Sequence, residues 1–172
     1  FWNKYEKDGF KRLIGEGFNF KNAHFNYIPT YTAPGHASVF TGTTPQNHGI
    51  IGNNWYDKFE KRDVYNAEDD NVQSVGTASD AGKMSPHRML VTTVTDENRM
   101  FTQMRGKTIG IGMKDRGAIL PAGHTANAAY WFQGRDEGKW ITSTFYMKDL
   151  PAWVKDFNNS GKANSYVKVW NT

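Results

Sequence analysis

Phe10, Leu13 and Ile14 recur at helical spacing and Gly17 follows, which predicts a helix over about residues 8–16 with a glycine stop. The period then shortens: Phe18, Phe20 and, less regularly, Ala23 and Phe25 alternate as in a half-buried strand. Helix-then-strand order in an α/β domain implies a strand before the helix, so the chain reads as one cut at its start. The apolar run Ala37, Val39 and Phe40 opens a second helix, with Thr32 as N-cap and Pro34 in the first turn, where a missing N–H costs nothing. TGTTPQNHGIIGNN, dense in Thr, Pro, Asn and Gly, predicts a loop with backbone turns. A small hairpin follows, residues 55–59 against 63–66, and then a polar surface excursion over residues 69–83.

SPHRML carries a Ser-Pro helix start, and Thr93 with Asp96 three positions on resembles a capping box for a helix reaching Gly106. One longer helix through both pieces is the alternative. KTIGIGM predicts a buried strand containing Gly110 and Gly112 and ending at KDRGAILPAGH. AAYWFQ and WITSTFY predict an inserted hairpin, and LPAWVKDFNNSGK a short helix from near Pro151 to Gly161.

The 172 residues suffice for one domain with a sizeable core. Aromatic content is 15% and mean hydropathy −0.71, the profile of a soluble globular chain. No window approaches the ~18–20 uninterrupted apolar residues of a membrane helix, and FWNKYEKDG lacks the apolar core of a signal peptide. Any export signal must already be gone. The absence of cysteine excludes disulfides and thiolate catalysis. The net charge of +4 is scattered without a polybasic tract, which argues against a nucleic-acid partner.

Thr32 is the first candidate for chemistry. First-turn N–H groups and the helix dipole attract anions, so a phosphate there would lie beside its hydroxyl, although an ordinary capped helix shows the same local pattern. Lys114 and Arg116 follow an apolar strand, where ligand-binding residues of α/β domains gather. In extended backbone, residues two apart point the same way, so both cations converge on one anion while Asp115 faces elsewhere; a solvated strand end is the alternative. Asn53, in GNN, either serves a turn or donates its amide to a phosphate oxygen. No two of His24, His36, His48, His87 and His124 have the spacing of a helical zinc site, so each reads as structural, with His36 and His124 bonding loop backbone at the PGH and PAGH turns.

Together, YTAPGHASVFTGTTPQNHGIIGNNWYD and MKDRGAILPAGH resemble the Thr-nucleophile, two-zinc phosphatases of the alkaline phosphatase superfamily, the bacterial monoesterases related to nucleotide pyrophosphatase/phosphodiesterases. The likeness extends through GFKRLIGEGFNFKNAHFNY, SPHRML and TSTFYM. It implies an α/β fold with a mainly parallel sheet, flanking helices and inserted hairpins, and makes residues 1–172 an internal piece of a single catalytic domain. Thr32 then matches the nucleophile, which also ligates zinc; Asn53 matches the amide on a phosphoryl oxygen; Lys114 and Arg116 match the basic pair that sets monoesterase preference. The family's other zinc ligands match nothing in the chain, so two zinc ions are expected in the full-length protein and none in this piece alone. The resemblance also implies a phosphate monoester substrate and a periplasmic or secreted location. A phosphodiesterase, nucleotide pyrophosphatase or phosphonate hydrolase on the same scaffold is the alternative, and Lys114 with Arg116 argues against it. A sulfatase is excluded by Thr at position 32 and by the absence of cysteine. A piece without its metal ligands would be catalytically inert.

Overall fold

A π-helical turn at Lys7–Lys11 runs into α1 (Arg12–Glu16), and Gly17 ends it, as the apolar spacing predicts. The computed structural model describes residues 1–135 and 137–167. The strand expected after α1 does not form: Phe18, Phe20 and Phe25 are 80%, 74% and 65% exposed. Alternation alone does not make a strand, because its N–H and C=O groups need a neighbour, and no described strand pairs with residues 18–25.

α2 (Thr32–Thr41) closes on Gly42, whose φ of +69° supplies the left-handed stop. α3 (Pro45–His48) is a single turn inside the expected loop. β1 (Asn54–Asp57) and β2 (Arg62–Tyr65) form the expected antiparallel hairpin, with Asn54 opposite Tyr65. The stretch 69–83 is more than surface, since Val72 and Val75 are buried and β3 (Ser74–Val75) joins the main sheet. SPHRML forms turns rather than a helix; the Ser85 hydroxyl donates to buried Asp69 and its oxygen accepts the His87 N–H. Side-chain bonding to nearby backbone is how serine competes with helix.

The Thr93 and Asp96 box does cap a helix, α4 (Val94–Phe101), which ends short of Gly106. β4 (Ile109–Gly112) and β5 (Ala128–Gln133) pair in parallel, Ile109 opposite Ala128, and β6 (Lys139–Ser143) pairs antiparallel with β5 and β3. Parallel neighbours need a crossover, and α5 (Asp115–Ala122) provides it where the sequence had suggested only a strand end. The hairpin β5–β6 is thus part of the main sheet, whose order is β3-β6-β5-β4. α6 (Ala152–Asn159) starts after Pro151, and α7 (Lys162–Ser165) follows.

The sheet is covered on both faces, which gives the α/β class. Ala129 and Trp131 of β5 pack with Ala118 and Ile119 of α5, while Ala128 and Tyr130 pack with Val154 of α6. Leu120 turns away from the sheet to meet Ala33 and Ala37 of α2, so α5 is sandwiched between sheet and α2. Gly110 makes that layering possible: a Cβ there would run into the Ala118 carbonyl. β4 is an edge strand with Ile109 and Ile111 largely exposed, not the buried strand its apolar run predicted.

Candidate active site

Thr32 is the first residue within α2 rather than its cap; Tyr31 holds the N-cap position and offers no side-chain bond. The cap comes from a distance. Asn53 Oδ1 accepts the Ala33 N–H at 2.9 Å, satisfying one of the orphan donors of the first turn. That bond places Asn53 beside the exposed Thr32 and leaves its NH2 without a partner among the described residues. Asn53 is itself held, since its carbonyl accepts both the backbone N–H (3.1 Å) and the side-chain amide (2.8 Å) of buried Asn66.

Lys114 and Arg116 lie just past the carboxyl end of β4, but the backbone there differs from expectation. Lys114 is the extended N-cap of α5 (φ −124°, ψ 146°), and Asp115 and Arg116 are already helical. The alternation argument therefore fails, and Asp115 does not face away. Its Oδ1 accepts the Arg116 N–H and the Tyr65 phenol, each at 2.6 Å. The Arg116 guanidinium lies over the Tyr65 ring, 5.2 Å from its centroid, and its buried Nε has no hydrogen-bond partner. Burial, then the Asp115 charge, pushes the Tyr65 phenol far above its ordinary pKa, so it stays a donor. Lys114, Asp115 and Arg116 line a cleft of about 370 Å³ together with Tyr65, Phe132 and Arg135.

The two helix starts meet through α2. His36, one turn along from Thr32, has its pKa lowered by burial and by the Arg116 charge, and its Nε2 would lie 3.6 Å from a Cβ on Gly117. His36 is thus a helix-packing residue rather than part of a turn. His48 Nδ1 accepts the Ile50 N–H and its Nε2 faces the Ser38 hydroxyl, with burial holding it neutral. His124 contacts loop backbone, as expected, at Met89 O (2.8 Å), and also Asp96 (3.4 Å). Both are acceptors, an arrangement that favours the doubly protonated ring, and the Asp96 contact raises its pKa against the effect of burial.

Among the described residues no three His, Asp or Glu side chains gather as a metal site. Thr32 alone does not make one, so the donor set among the described residues does not fit a zinc centre. Tyr65, Asp115 and Asn66 were missed as site residues in the sequence. Only pairing of the β1–β2 hairpin reveals that Tyr65 and Asn66 stand between Asn53 and Arg116.

A family model described as type I phosphodiesterase / nucleotide pyrophosphatase matches residues 2–170. The chain is 54% identical, over its whole length, to the alkaline phosphatase PhoV of Synechococcus elongatus and covers 31% of it. It is 48% identical to a protein of Myroides odoratus described as a calcium-transporting ATPase, again covering 31%. The crystal structure of the alkaline phosphatase PafA superposes with a TM-score of 0.90 at 47% identity, over 99% of this chain and 33% of that one; PafA comes from Elizabethkingia meningoseptica. A second PafA crystal structure is of a variant replaced at one Thr, one Asn, one Lys and one Arg. The chain thus spans about a third of the length of the relatives it matches.

Proposed function

The chain belongs to the type I phosphodiesterase / nucleotide pyrophosphatase family, and on that premise we propose that the protein it forms part of hydrolyses phosphate monoesters through a covalent phospho-Thr32. In this reading Thr32 Oγ forms a bond to phosphorus as the ester oxygen leaves, and water then displaces Thr32 to release inorganic phosphate. The free NH2 of Asn53, the Thr32 N–H at the start of α2, Lys114 and Arg116 compensate the oxygens of a monoester dianion. The observation that carries the reading is the Asn53 bond to Ala33 N–H, which holds an unpartnered amide beside an exposed hydroxyl at a helix start. The four residues replaced in the PafA variant are of the same types, and the Thr–Asn and Lys–Arg pairs have the same separations, as Thr32 and Asn53, and Lys114 and Arg116. Two zinc ions, with Thr32 as the one ligand offered by this chain and the remaining ligands outside it, and a periplasmic or secreted location belong to the same proposal.

The basic pair decides between monoester and diester. A diester phosphoryl group carries one negative charge fewer, so it gains less from Lys114 and Arg116. In the full-length protein, Lys114→Ala with Arg116→Ala should cut kcat/KM for p-nitrophenyl phosphate about a hundredfold or more and that for bis-p-nitrophenyl phosphate far less. Equal losses on both substrates would remove the monoesterase preference.

A further inference from the structure

The two halves of the proposed phosphoryl site come from distant parts of the chain, Asn53 before β1 and Arg116 after β4, and one dipeptide touches both. At the end of β2, Asn66 holds the Asn53 carbonyl through its backbone N–H and its side-chain amide, at 3.1 and 2.8 Å. Its neighbour Tyr65 donates to Asp115 Oδ1 at 2.6 Å and presents its ring to the Arg116 guanidinium at 5.2 Å. Asp115 Oδ1 also takes the Arg116 backbone N–H, so one oxygen fixes both the start of α5 and the phenol.

We propose that Tyr65, through Asp115, is a positioning residue that aims the Arg116 guanidinium at the substrate phosphoryl group, with Asn66 keeping Asn53 in register with it. This rests on the phosphomonoesterase reading of the same site. Among the described residues the guanidinium has no carboxylate in hydrogen-bond range; the nearest of them, Asp115 Oδ1, is 3.8 Å from Nε. Without an acceptor of its own, an arginine is held by packing, and here the packing surface is the Tyr65 ring. The phenol's bond to Asp115 pins the far end of that ring in place, and the exposed fraction of the Arg116 side chain is only 16%. An arginine preorganised in this way loses little freedom when an anion arrives, which is the condition for effective charge stabilisation.

The test is a double-mutant cycle in the full-length protein, read as kcat/KM on p-nitrophenyl phosphate. Tyr65→Phe keeps the ring and removes the bond to Asp115; it should lower kcat/KM about tenfold, with less than about a twofold further loss when introduced into Arg116→Ala. Asp115→Asn, which keeps the volume and weakens the acceptor, should lose activity in the same direction and likewise only when Arg116 is present. A merely structural tyrosine would give the same loss in both backgrounds, and that result, or no loss in either, overturns the proposal. Failure of the underlying reading is separate: it would appear as an Arg116→Ala variant with undiminished monoesterase activity. A melting temperature for each variant within a few degrees of the parent confirms that folding is intact.

Discussion

Asp96 is the most heavily bonded carboxylate among the described residues, and its loss has a magnitude set by those bonds. Its Oδ1 takes the Thr125 N–H (2.7 Å) and hydroxyl (2.8 Å); its Oδ2 takes the Thr93 N–H (3.0 Å), the Thr93 hydroxyl (3.0 Å) and His124 Nδ1 (3.4 Å). Burial pushes its pKa up, but the bonds from His124, Thr93 and Thr125 overcome that and hold it far below the usual carboxylate range. Asp96→Asn keeps the volume and turns one oxygen into a donor, so whichever way the amide faces, a buried backbone N–H loses its acceptor, at about 1–3 kcal/mol. The charge facing His124 is lost as well; with the His124 side chain 33% exposed the pair is only partly buried, and its loss adds about 1 kcal/mol. We expect the variant to be destabilised by about 2–4 kcal/mol, read as a lowered urea midpoint at unchanged m-value with tryptophan fluorescence on the full-length protein. The pH dependence has a defined sign. The lowered Asp96 pKa contributes stability present above about pH 4 and lost as pH falls through the folded value; the raised His124 pKa contributes stability present below about pH 6.5 and lost as pH rises through its folded value. The gap between parent and variant should therefore be widest between about pH 4 and 6.5 and narrower at pH 10. A difference under about 1 kcal/mol at pH 5.5, or one that grows toward pH 10, would refute the reasoning.

Other expectations follow from single contacts. Gly110→Val drives a side chain into the Ala118 carbonyl and should destabilise by about 1–3 kcal/mol, checked by the same urea midpoint. Asn53→Asp retains an acceptor for the Ala33 N–H but sets a negative charge beside Thr32; stability should hold while competitive inhibition by inorganic phosphate weakens about tenfold or more. Thr93→Ala removes the capping box of α4 and should cost about 1 kcal/mol or more of stability, because its hydroxyl also bonds Asp96.

Local chemistry was legible wherever it is local in space. The Thr93 and Asp96 box, the Pro151 helix start and the β1–β2 hairpin follow from neighbours in sequence, and the structure has all three. Elements that depend on distant partners were misread. Residues 18–25 have strand periodicity but no described strand beside them, and the apolar run at β4, which reads as a buried strand, lies at the edge of the sheet among the described residues. α5 was hidden because its eight residues contain Pro121, which argues against helix. Its carbonyl ends are satisfied from outside, with the Thr95 hydroxyl donating to Pro121 O and Ala122 O. Thr32, Asn53, Lys114 and Arg116 could be picked out as a set through family resemblance, whereas Tyr65 and Asp115 join the site only because a hairpin and a crossover helix meet there.

The proposed phosphoryl transfer depends on the oxygen of Thr32. Full-length protein incubated with a phosphate monoester, quenched in acid to slow hydrolysis of the phospho-enzyme, digested and analysed by tandem mass spectrometry should yield a peptide spanning Tyr31–Phe40 with one added phosphoryl group on Thr32. Thr32→Ala should abolish that peptide and the turnover together. A phosphoryl group on another side chain, or full turnover by Thr32→Ala, would contradict the assignment.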